Sequence, residues 1–221
     1  MCRQQRRPQQ QPPHKPLVIG VILYEGVMQL DFIGPTAYLE VLQLLGVPVT
    51  FHTISHVQGD TNERSLNPVG FMPLFASKGY RDAPTRFDIL LIPGAKHCYD
   101  LAKDPGFKEY IRTVAERSTH VLTVCTGSGV LAQTGLLDGK NATTNKVEFD
   151  VIARSYPSVN WIRKARWAVD GKIWTSSGVA AGMDMAHAFI AHQYGSEAAD
   201  TLARIMETVP NTDPSNDPFA Q

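Results

Sequence analysis

Two residues in this chain have the type and setting for covalent and proton-transfer chemistry, Cys125 and Asp31. Cys125 ends the apolar run Val121-Leu122-Thr123-Val124 and is followed by Thr126-Gly127-Ser128-Gly129 and then the helix-like Val130-Leu131-Ala132-Gln133. A buried strand that stops on a cysteine and turns through glycines into a helix puts the sulfur at a sharp bend. Backbone N–H groups without helical partners and the positive end of the helix dipole lie beside it there. Such surroundings lower a thiol pKa and make a thiolate available near neutral pH. The same strand–turn–helix geometry, written with serine, is the nucleophile elbow. The competing reading is a cysteine buried for packing alone, since cysteine is among the most buried residue types. The glycines on its C-terminal side favour the reactive reading.

Asp31 lies in the segment GVMQLDFIGP, an acid flanked by apolar residues. Burial there would raise a carboxyl pKa and fit it for general acid–base work, and a nearby thiolate would raise it further. Helix capping is the ordinary role of an aspartate in such a place. However, the helix expected to begin near Pro35 would take its cap closer to Gly34. Gly94 and Ala95 end another apolar run and, with Thr126, offer backbone N–H groups that could bind negative charge developing on a substrate atom. Gln29, two residues before Asp31, is counted with them as a candidate substrate-binding residue.

The histidines give less. Position 126, next to the cysteine, is threonine. His97 could approach the same crevice, whereas His120 precedes its strand and belongs to the opposite end of a sheet. His187 and His192 share a helix face poorly and lack a third ligand, so they read as packing or surface residues and no metal site is expected. Cys98 reads as a surface cysteine. The glycines of GVAAGMDMA do not have dinucleotide-binding spacing and no phosphate loop occurs, so no cofactor is expected.

The elements that must position these groups alternate between strand and helix. Residues 17–23 are a continuous apolar run of the kind found in a parallel strand buried on both faces, 87–92 reads as another buried strand, and 121–124 as the next. Residues 49–54 alternate as a further strand. Helices are expected over about 36–45, 105–117 (with proline in the first turn), 127–134, 146–154, 179–193 and 196–206. Residues 58–70 read as loop and 71–76 as a short strand or part of a hairpin. Asp170-Gly171 between two short apolar runs predicts a hairpin. This alternation predicts a doubly wound α/β sandwich with a mostly parallel sheet, whose ligands bind at the carboxyl ends of the strands. The segments carrying Asp31, Gly94 and Cys125 all lie at such ends.

The chain has 221 residues, enough for one α/β domain with a sizeable core. Residues 1–15, rich in glutamine, proline and arginine, read as a disordered tail without the apolar stretch of a secretory signal. The domain is expected over 16–207 and a polar tail over 208–221. Net charge is zero, which argues against nucleic-acid or membrane-surface binding and for a small-molecule substrate. No stretch reaches the length of a membrane span. Three scattered cysteines fit neither a disulfide framework nor a zinc site, and an unpaired reactive thiol suits a reducing, cytoplasmic setting.

Four segments, GVMQLDFIGP, DILLIPGA, VLTVCTGSGVLAQTGLLDGKNATTNK and IWTSSGVAAGMDMAHAFIAHQYG, occur in an order that resembles the ThiJ/PfpI superfamily, also described as class I glutamine-amidotransferase-like domains. The resemblance spans about 16–206. It implies a flavodoxin-like three-layer sandwich, a reactive cysteine at the elbow and a homodimer. Within the superfamily the chain is most similar to the isocyanide (isonitrile) hydratase branch, which has an aspartate in a Gln-Leu-Asp context and a cysteine followed by threonine, as at Gln29-Leu30-Asp31 and Cys125-Thr126. Branches described as proteases or glyoxalases use a glutamate on the first loop, and several place histidine beside the cysteine. This chain has neither. Related sequences often read Ala-Thr-Thr-His where this one has Asn145, a difference that bears on substrate choice.

The resemblance implies hydration of a small isocyanide to an N-substituted formamide, with Cys125 as nucleophile and Asp31 as acid and base. Two alternatives keep the same fold. One is a glyoxalase-type enzyme acting on a reactive dicarbonyl. The other is a ligand- or redox-sensing module without turnover, as in regulators of this superfamily, although no helix-turn-helix region is expected after Met206.

Overall fold

A computed structural model describes residues 15–24, 26–55, 65–66, 74–95 and 104–220. The expectations for residues 1–14, for His97 and Cys98, and for most of loop 58–70 fall outside these. In chain order the elements are β1 (Leu17–Leu23), α1 (Gln29–Glu40) continued by a 3-10 turn (Val41–Leu45), β2 (Val49–Ser55), β3 (Ser65–Leu66), β4 (Leu74–Phe75), β5 (Lys78–Gly79), β6 (Ile89–Ile92) and α2 (Pro105–Arg117). There follow β7 (His120–Val124), α3 (Gly127–Ala132), β8 (Asn141–Ala142), α4 (Phe149–Ser155), β9 (Asn160–Trp161), β10 (Trp167–Asp170), β11 (Ile173–Ser176), α5 (Ala181–Tyr194) and α6 (Ser196–Ile205).

Seven strands form one sheet in the order β10-β11-β7-β6-β1-β2-β5. All neighbours are parallel except the β10–β11 hairpin, which turns at Asp170-Gly171 as expected. The alternation of side chains along each strand divides the core in two. Ile19, Val21 and Leu23 of β1, Ile89 and Leu91 of β6, and Leu122 and Val124 of β7 face α1, α5 and α6. Ile22, Leu90, Ile92 and Val121 face α2 and α3. Both faces are therefore covered, which explains why these strands read as unbroken apolar runs. The sandwich has three layers.

One boundary differs from the sequence expectation in a way that affects the site. α1 begins at Gln29, not near Thr36, and carries Pro35 inside it. Asp31 therefore sits in the first helical turn instead of in a loop. Its own N–H bonds to the carbonyl of Met28, the N-cap residue, which makes no side-chain cap. The proline lacks the N–H that would bond back to the Asp31 carbonyl. Elsewhere α2 coincides with the expected span, because Pro105 opens it and Asp104 caps it through a 3.0 Å bond from the Phe107 N–H. Among the described residues, no helix is long and apolar enough to cross a membrane.

Candidate active site

The carboxyl ends of β1, β6, β7 and β11 meet at one edge, and short hydrogen bonds tie their loops together. Val27 and Ala95 form an isolated antiparallel bridge, and the Met28 N–H donates to the Gly94 carbonyl at 2.9 Å. Tyr24 donates its hydroxyl to the Pro93 carbonyl. The Gly94 N–H donates to Asp31 Oδ2 at 2.9 Å. Ala95 and Thr126 exchange two bonds, the amide donating to Thr126 Oγ1 at 2.9 Å and that hydroxyl lying 3.1 Å from the Ala95 carbonyl. The loops holding the acid, the Pro-Gly-Ala turn and the cysteine are thus braced against one another at the switch point of the sheet.

Cys125 stands at the bend with φ 58°, in the left-handed region that non-glycine residues rarely occupy. Holding it there costs on the order of 1–3 kcal/mol. Its surroundings over-determine the bend. Its N–H donates to the Ser177 carbonyl at 3.1 Å, and its carbonyl accepts from Thr144 Oγ1 at 2.9 Å and Ser128 Oγ at 3.1 Å. Gly127, which opens α3, lies so close to β6 that an added Cβ would stand 2.2 Å from the Ile92 carbonyl oxygen and 2.8 Å from that of Pro93. Both obstacles are backbone. Gly127→Ala is expected to destabilise the protein by at least about 2 kcal/mol despite alanine's better helix propensity, read as a lower urea midpoint.

Asp31 has no exposed surface. Burial raises its carboxyl pKa to about 7, with the Gly94 hydrogen bond pulling the other way. Its Oδ1 finds no hydrogen-bond partner among the described residues, which suits a protonated acid with one oxygen in reserve. A methyl group on Gly94 would stand 2.8 Å from both Asp31 Oδ2 and the Thr126 amide nitrogen. Only the width of a glycine separates the acid from the peptide unit that follows Cys125.

The amides of Gly94 and Ala95 have a different use from the one expected. Each already has an internal acceptor, so the first orients the acid and the second fixes Thr126. Gln29 opens α1, half-buried, two residues ahead of Asp31. His120 is the first residue of β7, at the far end of the sheet as expected. His187 packs against Tyr38 and approaches Asp200 at 3.3 Å, and His192 packs against Trp174. No group of three or more metal-ligating side chains occurs among the described residues.

Cys125 lines a cavity of about 350 Å³, together with Asn145, Lys146, Val147, Ser177 and Val179. Two cations border it, and each is matched by a carboxylate. Lys146 Nζ lies 3.3 Å from Asp217 Oδ2, and Arg166 Nε 2.7 Å from Asp184 Oδ2. The cavity is therefore close to electroneutral. The sequence alone does not single out Thr144, Lys146 or Ser177. Their signal is faint: Thr144 and Lys146 lie in a polar run after β8, and Ser177 directly follows β11.

A family model described as the DJ-1/PfpI family matches residues 18–192, and the chain belongs to that family. An isonitrile hydratase from Pseudomonas putida is 30% identical over 195 residues, which is 88% of this chain and 79% of that protein. The HTH-type transcriptional regulator CdhR of Pseudomonas aeruginosa is 32% identical over 98 residues, 44% of this chain and 29% of the regulator. Among solved structures, a ThiJ/PfpI family protein from Pseudomonas syringae shares the fold with a TM-score of 0.77 at 20% identity, over 98% of this chain and 84% of that one. The sandwich is thus of the flavodoxin-like kind, in a family that holds both enzymes and regulators.

Proposed function

We propose that the protein hydrates a small isocyanide to an N-substituted formamide. The observation that carries this reading is a fully buried carboxylic acid, its pKa raised to about 7, which only Gly94 separates from the amide following a cysteine in a strained elbow that lines a neutral cavity. The 30% identity to an isonitrile hydratase supports the choice of substrate class.

The Cys125 thiolate attacks the terminal isocyanide carbon. A C–S bond forms, and that carbon takes the proton of Asp31, giving a thioimidate, R–N=CH–S–Cys. Water then adds to the same carbon. The ionised Asp31 removes one of its protons and passes one to the nitrogen, leaving R–NH–CH(OH)–S–Cys. Asp31 takes the hydroxyl proton as the C=O bond forms and the C–S bond breaks. The thiolate and the protonated acid return to their starting forms, and the net change is one water added. Charge that builds on nitrogen during water attack is offset by the Thr126 amide at the elbow. A homodimer in the cytoplasm is part of the same proposal.

The test is to mix purified protein with a simple alkyl isocyanide and follow formamide by proton NMR. Steady formation above the no-enzyme rate supports the assignment, and its absence with several alkyl and aryl isocyanides rejects it.

A further inference from the structure

The segment that follows α6 does not leave the domain. The Asn211 N–H donates to Asp184 Oδ1 at 2.9 Å, and the Pro214 carbonyl accepts from the Arg166 N–H at 2.7 Å. Asp217 is then buried at 4% exposure in an otherwise polar, exposed stretch. It accepts from the Ser177 side chain and from the Phe219 N–H, the latter at 3.1 Å, and it pairs with Lys146. Phe219 in turn lines the Cys125 cavity while 68% exposed, so it stands at the open side, as does Val147 at 89%.

Lys146 needs this partner. Its Nζ also donates to Thr143 Oγ1, the Thr144 carbonyl and the Ala165 carbonyl at 3.0–3.1 Å, but these are neutral acceptors. Asp217 supplies the countercharge. Burial pulls the Lys146 pKa down, and Asp217 opposes that pull.

We infer that residues 208–220 are the specificity element of the cavity. Asp217 cancels the Lys146 charge and Phe219 supplies an apolar wall, so that the cavity accepts uncharged molecules carrying an apolar substituent and turns anions away. The inference rests on the proposed function only in taking Cys125 as the reacting group.

Cys125 alkylation tests it without reference to hydration. Wild type, Asp217→Asn and Phe219→Ala are treated at pH 6.5 with iodoacetamide, iodoacetate and N-benzyl iodoacetamide. Modification of the Cys125 peptide is followed by mass spectrometry, which separates it from Cys2 and Cys98. Iodoacetate and iodoacetamide are nearly the same size, so their rate ratio reports charge, and any change in thiol ionisation cancels from it. Asp217→Asn, which keeps acceptors for Ser177 and the Phe219 amide, is expected to raise the iodoacetate-to-iodoacetamide ratio by about fivefold, less at high salt. Phe219→Ala is expected to leave that ratio alone and to lower the benzyl-to-unsubstituted ratio by about threefold.

Unchanged ratios in both variants overturn the inference, as does an anion preference that rises equally in both. Should Asp217→Asn fail to fold, Phe219→Ala decides alone, because its side chain is largely exposed and its benzyl ratio either falls or does not. Failure of isocyanide turnover leaves these ratios untouched, so the two readings stand or fall separately.

Discussion

On the proposed mechanism, alanine at position 125 is expected to lower isocyanide hydration by at least about 10⁴-fold, because it removes the proposed nucleophile. Serine there is expected to do scarcely better. Its hydroxyl ionises far less readily than a thiol, and no histidine stands next to it in the chain to take the proton. The loss should come without unfolding. The bonds that hold the bend run through the backbone N–H and carbonyl of residue 125, to Ser177, Thr144 and Ser128, and alanine keeps all of them. Circular dichroism and urea unfolding of Cys125→Ala check that the elbow persists, and a formamide assay under saturating isocyanide reads the rate. Turnover surviving the substitution would refute covalent catalysis and leave the acid with nothing to serve.

The sequence made the elbow legible for a local reason. A strand that packs on both faces must be apolar throughout, so its end is visible, and only glycine tolerates the approach to β6 that residue 127 makes. The strands β1, β6 and β7 and the Asp170-Gly171 hairpin were readable on the same grounds. The start of α1 was not. Proline is favoured in a first helical turn, so Pro35 reads as a beginning, yet here it is the seventh residue of the helix. Seven residues of misplacement hid that Asp31 is held by a helix.

The pairs that build the site were invisible for a different reason. Asp31 with Gly94, Ala95 with Thr126, and Lys146 with Asp217 are separated by 63, 31 and 71 residues respectively. No local pattern encodes such partners. The same limit made 208–220 look like a polar tail, since composition cannot show that Asp217 among its polar residues is buried against a lysine.

Asparagine in place of Asp31 is expected to lower turnover by about 10²–10⁴-fold, the usual worth of a positioned general acid–base group. It should also remove a feature of the wild-type pH profile. The proposed cycle begins with Asp31 protonated, and burial raises its pKa to about 7. Wild-type activity is therefore expected to fall as pH rises above 7, whereas the residual activity of Asp31→Asn should lack that decline. Stability must follow the same titration.

The folded-state pKa is raised above the model-peptide value of 3.8, so between the two the native state binds more protons than the unfolded chain. The contribution is fully present below pH 3.8, diminishes as pH rises toward 7, and is lost above it. Three pKa units correspond to about 4 kcal/mol. The isosteric amide can still accept from the Gly94 N–H but cannot ionise. The unfolding free energy of Asp31→Asn relative to wild type is thus expected to rise by up to about 4 kcal/mol between pH 4 and pH 8, measured by urea titration at each pH. A flat difference across that range would mean that Asp31 ionises freely in the folded protein. It could not then begin the cycle as an acid at neutral pH.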